Sequence, residues 1–226
     1  MLEDKNGFAL LHEPSVNDRR PSTASKGRCT GHIIVGPCPG RVLYFESRLE
    51  QNWALCLDAH PMTTVLREQV AFKWQNSSKK KPSTHFFDLF VEQTDGRRIA
   101  YTVKPEARLN AKFMGEIATV ARQAKEAGFV DDVRLLTDVD LDPVELSNAR
   151  LTYAMRVPDA DADEAATAVI ATMSDVASLG DLTTRIELGA RGYRALIRMV
   201  RSGRLQPTRH EHLTHDTIVF AKGAAA

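Results

Sequence analysis

The sequence predicts an α/β protein in which a mixed β-sheet is flanked by helices and is followed by a small, mostly helical domain. Apolar residues alternate between about residues 65 and 104, which indicates neighbouring strands. Before and after that segment they recur at three and four residues, which indicates flanking helices. The charge then changes sign: ten acidic residues face three basic ones from Asp131 to Glu164, whereas eight basic residues face three acidic ones from Arg185 to Lys222. This change predicts a second domain.

The composition is that of an ordinary globular protein. With 226 residues, 43% of them hydrophobic and 26% charged, the chain can form two domains. A net charge of +1 gives no overall attraction to nucleic acid or membrane, so any such surface must come from local clusters. Cys29, Cys38 and Cys56 form no C-x-x-C pair, which argues against a disulfide framework and a structural zinc site. The start has no signal-peptide pattern and no apolar run approaches membrane-spanning length, so a cytoplasmic location is expected.

The N-terminal region is predicted to be a basic, extended arm, because it is rich in Pro, Gly, Ser and Arg. Its basic residues are expected to be solvated in preference to contacting phosphate; they are Arg19, Arg20, Lys26 and Arg28. The predicted domains are an arm over residues 1–40, an α/β domain over 41–157 and a C-terminal domain over 158–226.

A helix and a strand are predicted to open the α/β domain. In FESRLEQNWALCLDAHP, Leu49 and Trp53 share one helical face and Ser47 can cap the start. VLREQVAFKW alternates as a strand through Val70 and Phe72. The loop that follows is basic, and its lysines are candidate contacts for DNA or a partner; they are Lys79, Lys80 and Lys81.

The segment THFFDLFVEQTDGRRIAYTVKP predicts a β-hairpin that turns at Asp95-Gly96. It carries Asp88 inside its first strand and Lys104 at the end of its second, although an unpaired charge inside a strand is costly. A carboxylate, a lysine and a further carboxylate from an adjacent helix together suit Mg²⁺-dependent hydrolysis of a phosphodiester. The alternative is a salt bridge between Asp88 and Lys104.

Alternating helices and strands are predicted beyond the hairpin. ARLNAKFMGEIATVARQAKEAG is a long amphipathic helix, VRLLTD a short strand and DPVELSNARLTYAM a further helix. The C-terminal domain then shows helix, helix, a glycine-containing turn, helix and two short strands. This order is typical of a winged helix.

The order of a glutamate on a helix, an aspartate on a strand and x-x-Lys on the next strand resembles the PD-(D/E)xK restriction-endonuclease-like nucleases. Within them, the chain is similar to the TnsA-like endonuclease subunits of heteromeric transposases. The matching segments are SRLE (Ser47 to Glu50), VLREQ (Val65 to Gln69), DLFV (Asp88 to Val91), TVKP (Thr102 to Pro105) and TDVDLDPVELSN. The resemblance extends from about Leu43 through most of the chain and implies a restriction-endonuclease-like fold.

The resemblance assigns roles to individual residues. It implies that Glu50 and Asp88 bind Mg²⁺, with Mn²⁺ as a substitute, and that Lys104 is catalytic. These nucleases usually have Glu, Asp or Gln where this chain has Thr102. The Thr102 hydroxyl or the Val103 carbonyl can bind the metal, but neither brings negative charge.

Other polar residues are candidates for supporting or alternative roles. Glu46 lies one helical turn from Glu50 and could replace it as a ligand, although Glu50 fits the motif better. Glu68 and Gln69 could support the site or pair along the edge of the sheet. The histidines of HEHLTH are expected to lie in a solvated or phosphate-facing loop in preference to a metal site; they are His210, His212 and His215.

Arginines recur at three and four residues near the C-terminus and are predicted to form one basic helix face; they are Arg191, Arg194, Arg198, Arg201 and Arg204. This face could bind the DNA backbone or an acidic partner, or could simply be solvated.

The resemblance implies an endonuclease that cuts the non-transferred, 5′ strand at the ends of a transposon. It implies double-stranded DNA, a TnsB-like DDE transposase and a TnsC-like ATPase regulator as partners. Two alternatives remain: a PD-(D/E)xK restriction or repair nuclease that acts alone, and a non-catalytic DNA-binding or scaffold protein.

Overall fold

The computed structural model describes residues 11–20, 29–76, 79 and 81–222. It divides into two compact units. The first unit holds the residues up to Asp58 together with Met62–Leu141, and the second holds Ala59–Pro61 and the residues from Asp142 onward. The predicted boundary after residue 157 is therefore too late, because the helix that begins at Pro143 packs within the second unit.

The first unit is built on a four-stranded mixed sheet. Its strands are β3 (Thr63–Trp74), β4 (Ser83–Gln93), β5 (Arg98–Val103) and β6 (Asp132–Leu136), in that order across the sheet. The first three run antiparallel, and β6 runs parallel to β5. A parallel pair needs a crossover, which helix α2 (Ala111–Glu126) provides. The α/β class and the mixed sheet predicted from the sequence are thus confirmed.

Helix α2 covers one face of this sheet. Its apolar stripe packs against buried side chains of β3, β4 and β5, and we call the whole group the α2 cluster: Val70, Phe72, Trp74, Phe87, Phe90, Ala100, Val120, Ala124 and Val130. Asn110 caps the helix by accepting a hydrogen bond from the Phe113 N–H at 3.0 Å.

Helix α1 (Arg48–Ala59) begins where the sequence predicted. The Glu50 N–H donates to Ser47 Oγ at 3.1 Å, which confirms Ser47 as the cap. Trp53 is buried on this helix and donates from Nε1 to the Thr137 carbonyl at 2.9 Å, which ties α1 to the segment after β6.

The prediction of an extended arm over residues 1–40 is wrong for its second half. Strands β1 (Gly31–Val35) and β2 (Arg41–Phe45) form an antiparallel hairpin because β1 buries three apolar side chains, Ile33, Ile34 and Val35. Upstream, Glu13 adds to this hairpin: its N–H donates to the Gly40 carbonyl, and its carbonyl accepts from the Val42 N–H, both at 2.9 Å. Lys26 and Arg28 lie outside the described residues.

As far as Lys222, where its described residues end, the second unit contains four helices and a small antiparallel sheet. The helices are α3 (Pro143–Ala154), α4 (Ala160–Ala171), α5 (Leu179–Ile186) and α6 (Ala190–Arg201). The strands are β7 (Ala177–Ser178), β8 (Leu205–Pro207) and β9 (Ile218–Ala221), ordered β7-β9-β8. Helix α6 is the central element, packed by α3, α4, α5 and β8. Within the described ranges of both units, no helix has the length and apolar character needed to cross a membrane.

Candidate active site

The side chains of β3 and β4 change faces at Gln69 and Asp88. In a regular strand, residues three apart lie on opposite faces. Here Phe87 and Phe90 both belong to the α2 cluster and both contact Phe129, with ring centroids 6.4 and 6.0 Å away. Gln69 has a φ of 50°, in the left-handed region that a non-glycine residue adopts only at a cost. The sheet is therefore irregular at the position of the unexplained aspartate, and strain of this kind often marks functional sites.

Asp88 occupies a gap in the strand pairing. The β4–β5 ladder runs from Glu92↔Arg98 to Leu89↔Tyr101 and stops there. Beyond it, Asp88 Oδ2 accepts from the Val103 N–H at 2.7 Å, taking the role of a strand carbonyl. From the residues that the structure describes, Asp88 Oδ1 accepts only a long bond, from Gln69 Nε2 at 3.4 Å. One carboxylate oxygen therefore completes the backbone pairing, and the other is only weakly satisfied.

Glu50 is held at the start of α1 by a capping arrangement. Its carboxylate accepts from the Glu46 N–H and from Ser47 Oγ, both at 2.8 Å. This is a variant of the capping box, in which a glutamate in the first turn bonds back to the residues before the helix. Glu50 thus has a structural role, which also fixes its position, and its two oxygens keep further lone pairs for a ligand.

Asp88 and Glu50 interact unfavourably as negative charges. Burial raises the pKa of Asp88 to about 7, and the nearby charge of Glu50 contributes to that rise. The hydrogen bonds from Val103 and Gln69, and the charge of Arg19, act in the opposite direction on the same pKa. Burial also raises the pKa of Glu50. Two carboxyl groups in this situation favour a bound cation or proton, as at many catalytic sites.

Lys104 does not contact these carboxylates. Its Nζ lies 3.6 Å from the ring centroid of Phe113 on α2, a cation–π geometry. Among the described residues, no ion pair joins Lys104 to Asp88, so the predicted alternative of a salt bridge between them is wrong. Thr102 is also engaged elsewhere: it is 5% exposed, and its Oγ1 is 3.2 Å from His85 Nε2.

The supporting residues separate into two groups. Gln69 belongs to the site, since it contacts Asp88. Glu46 is connected to the site because Arg19 donates a hydrogen bond to it. Glu68 does not belong to the site. It is fully buried and accepts from the Tyr44 N–H at 3.1 Å and from Ser15 Oγ and Arg41, so it anchors the N-terminal hairpin to β3.

Arg19 is the site residue that sequence reasoning missed. Its Nε and Nη2 donate to Gln69 Oε1 at 3.0 and 2.6 Å, and Nη2 also donates to Glu46 Oε2 at 3.0 Å. The guanidinium carbon lies 5.3 Å from the ring centroid of Phe86. The expectation of a solvated side chain therefore holds only in part for Arg19, which is 42% exposed but hydrogen-bonded to Gln69 and Glu46. The sequence offered one indirect indication of a further cation. Several carboxylates were predicted at the site, but Lys104 was the sole predicted positive charge there.

The donor set at Asp88 and Glu50 suits magnesium. Mg²⁺ prefers hard oxygen ligands, keeps several waters and often takes only one or two carboxylates from the protein. Asp88, Glu50 and the Val103 carbonyl are such donors, and Asp88 Oδ1 is the weakly satisfied atom among them. Among the residues that the structure describes, no group of three or more His, Cys, Asp or Glu side chains is arranged to hold a metal. This includes the HEHLTH histidines, of which His210 contacts Asp142 at 3.1 Å.

Two of the five arginines in the predicted basic face near the C-terminus pair with aspartates at the start of helix α4. Arg191 pairs with Asp159 at 2.7 Å and with Asp161 at 3.2 Å, and Arg198 pairs with Asp163 at 2.6 Å. The remaining arginines vary: Arg194 is exposed, Arg201 is half-buried, and Arg204 donates to Thr167 at 3.1 Å. The prediction of one continuous basic face is therefore wrong.

In the basic loop between β3 and β4, Lys79 and Lys81 are exposed, and Lys80 lies outside the described residues.

No protein-family model matches the chain, and no curated protein matches it. Support for a function therefore comes from the chemistry around Asp88 and Glu50.

Proposed function

We propose that this protein is a Mg²⁺-dependent DNA endonuclease of the TnsA-like type, with a restriction-endonuclease-like first unit. The observation that carries the proposal is the proximity of the Glu50 charge to the buried Asp88 carboxyl at a break in the sheet. Completing the strand pairing at Val103 requires only one oxygen acceptor, which an uncharged Asn could supply. The nearby Glu50 carboxylate raises the free-energy cost of ionising Asp88 inside the fold. A bound cation therefore explains the pair better than a structural role alone.

The chemistry follows from the residues around this pair. Asp88 and Glu50 would hold Mg²⁺ together with the Val103 carbonyl, and the ion would offset the charge that develops on the phosphate. Lys104 directly follows β5, next to Val103, and its flexible side chain can swing away from Phe113. Its ammonium group can then orient or deprotonate the attacking water.

The second unit is proposed to be a winged-helix-like domain that docks a partner. Its order of helices and its three-stranded sheet are compatible with that fold. Two of its arginines are already paired with α4, and its central helix is covered on several sides, so we propose protein docking rather than DNA binding as its main role. The proposed partners are a TnsB-like DDE transposase and a TnsC-like ATPase, and the proposed location is the cytoplasm. Delivery to transposon ends by partners suits a net charge of +1, since a nuclease that targets DNA by itself needs more phosphate contacts.

A non-catalytic DNA-binding or scaffold protein is the second candidate. It is favoured by Glu50 and Thr102, because a helix cap and a bond to His85 explain both residues without a metal. A third candidate, a PD-(D/E)xK nuclease that acts alone, uses the same site chemistry and differs only in needing no partner.

The test is cleavage of a transposon-end duplex labelled on its 5′ strand, with Mg²⁺ and both partner proteins present. We expect the wild-type chain to cut and Asp88→Ala to lose cutting, while Asp95→Ala, which removes an exposed carboxylate from the β4–β5 turn, cuts normally. Equal cutting by wild type and Asp88→Ala would contradict the proposed site. Binding of the duplex without cutting would favour the scaffold, and cutting without partners would favour the nuclease that acts alone.

A further inference from the structure

We propose that Arg19 binds a DNA phosphate beside the scissile bond, through a guanidinium group that Gln69 and Glu46 hold in place. This inference rests on the proposed nuclease function and adds a substrate-binding residue from outside the predicted catalytic region. The N-terminal segment would then form part of the active site.

The segment that carries Arg19 is fastened to β3 on both sides of the site. The Asp18 N–H donates to the Gln69 carbonyl at 3.2 Å, and Asp18 Oδ2 accepts from the Ala71 N–H at 2.8 Å. Three residues earlier, Ser15 Oγ donates to Glu68. Residues 15 to 19 therefore run along the irregular part of β3, and Arg19 bonds to Gln69, the residue with the left-handed φ.

The guanidinium group is anchored along one edge only. Nε and Nη2 make all three of its hydrogen bonds, to Gln69 and Glu46, and Phe86 lies against the guanidinium at 5.3 Å. Nη1 has no hydrogen-bond partner among the described residues, and the side chain is 42% exposed. An arginine with one edge fixed and the other open is ready to bind an anion with little loss of rotamer entropy.

The surrounding charge makes such a cation necessary. Glu46, Glu50 and Asp88 all lie in this region, and a DNA phosphate approaching them is repelled. Arg19 is the cation whose charge acts on both Glu50 and Asp88, whereas Lys104 rests on Phe113. The Nη1 N–H groups, next to these carboxylates, are placed to donate a charge-assisted hydrogen bond to a phosphate oxygen.

The experiment measures duplex binding by fluorescence anisotropy in EDTA over a series of salt concentrations, so that the readout does not depend on a metal or on cleavage. It compares wild type with Arg19→Ala and Arg19→Lys. The matched control is Arg97→Ala, which also removes an exposed arginine paired with a carboxylate, but at the β4–β5 turn. Thermal unfolding of each variant shows whether it folds.

We expect Arg19→Ala to bind the duplex about tenfold more weakly, with a salt slope smaller by about one, the change expected when one phosphate contact is removed. Arg19→Lys keeps the charge and should keep the slope, but it lacks the anchored fork and should bind about threefold more weakly. Arg97→Ala should match wild type. If Arg19→Ala is poorly folded, Arg19→Lys is compared with Arg97→Ala instead. The proposal is overturned if these two variants bind the duplex with equal affinity.

Unchanged affinity and slope in folded Arg19→Ala would overturn the phosphate contact. Tighter binding would also overturn it, since it would mean that Arg19 blocks the site. If Arg19→Ala lowers affinity and slope as expected, yet the wild-type chain never cuts with Mg²⁺ and partners, the phosphate contact would be supported while the nuclease function would be contradicted.

Discussion

The two units of the molecule treat charge in opposite ways. In the first, Asp88 is largely buried beside Glu50 and has no ion-pair partner among the described residues. In the second, acidic side chains at the start of α4 pair with arginines of α6, as in Arg191–Asp159 and Arg198–Asp163. The second arrangement satisfies each charge locally. The first leaves the Asp88 carboxylate without an ion-pair partner among the described residues, a situation that is common at functional sites.

The energetic scale of the two arrangements differs. Exposed ion pairs usually contribute between about 0 and 1 kcal/mol, and salt weakens them further. A carboxyl whose pKa rises from 3.8 to about 7 costs on the order of 4 kcal/mol at pH values above both, at about 1.4 kcal/mol per pH unit. The rest of the first unit must offset that cost, as is common where function requires an unfavourable group.

The largest effect is expected for Lys104→Ala. If Lys104 acts on water, this change should lower the cleavage rate by about a hundredfold or more, the usual scale for a general acid or base. The fold should survive, because the substitution removes mainly the cation–π interaction with Phe113, which is worth about 1 kcal/mol. Cleavage of a transposon-end duplex with partners present, measured beside thermal unfolding, tests both points. Lys125→Ala, on the exposed side of α2, is the control. Early melting with normal cutting would show that Lys104 is structural.

Asp88→Ala should weaken Mn²⁺ binding at least about tenfold, since Mn²⁺ and Mg²⁺ prefer the same oxygen ligands and the proposed site has few of them. Isothermal titration calorimetry at pH 8 measures this, because that pH lies above the raised Asp88 pKa of about 7. Asp95→Ala tests whether loss of any carboxylate has the same effect. Equal Mn²⁺ binding by wild type and Asp88→Ala would contradict the proposed metal site, and with it the proposed functional difference between the two units.

Asp88→Asn should stabilise the protein by about 2 kcal/mol or more at pH 8 without metal. A raised carboxyl pKa means that the folded state keeps a proton that the unfolded state has lost between about pH 4 and 7. Wild-type stability therefore falls as the pH rises through that window, and the cost is complete above about pH 7. Asn has no such titration and can still accept from the Val103 N–H.

Urea unfolding of wild type and Asp88→Asn at pH 4.5 and pH 8 measures this difference. The advantage of the variant should be large at pH 8, small at pH 4.5, and reduced at pH 8 by added Mg²⁺, which stabilises only the wild type. An advantage that does not change with pH would mean that Asp88 carries no uncompensated charge.

The smallest effect is expected in the second unit. Arg191→Ala should lower the melting temperature only slightly, because Arg191 and both of its partners are at least partly exposed and solvent screens them. The difference should disappear in concentrated salt. A double-mutant cycle with Asp159→Ala isolates the pair from other effects. A large decrease in melting temperature that persists in concentrated salt would contradict this prediction. It would mean that the Arg191 ion pairs contribute far more to stability than exposed pairs usually do.

Local patterns predicted the elements, and long-range contacts account for what the sequence did not reveal. The spacing of apolar residues and the capping residues predicted α1 and α2, and the Asp-Gly pair predicted the turn at Asp95-Gly96. All three depend on residues close together in the chain. The β1–β2 hairpin was missed because Gly and Pro surround the short apolar run at Ile33, and its partner strand lies across that turn.

The candidate site was predicted in part. The positions of Asp88 and Glu50 were recognised from their motifs, but the Arg19–Gln69 contact joins residues fifty positions apart and has no local signature. The pairing of Arg191 with α4 was missed for the same reason. The roles of Asp88, Glu50 and Lys104 in metal binding and cleavage stay predictions.

The attachment of residues 15 to 19 to β3 affects how this protein can be dissected. A chain shortened to begin at Arg41, the predicted start of the α/β domain, would lose strand β1, the Ser15 and Asp18 contacts and Arg19 together. Such a fragment would expose the apolar side of β2 and could aggregate or be inert for reasons unrelated to Asp88 or Lys104. An affinity tag followed by a protease site is therefore better attached after the second unit, which leaves the N-terminal segment free to fold against the sheet.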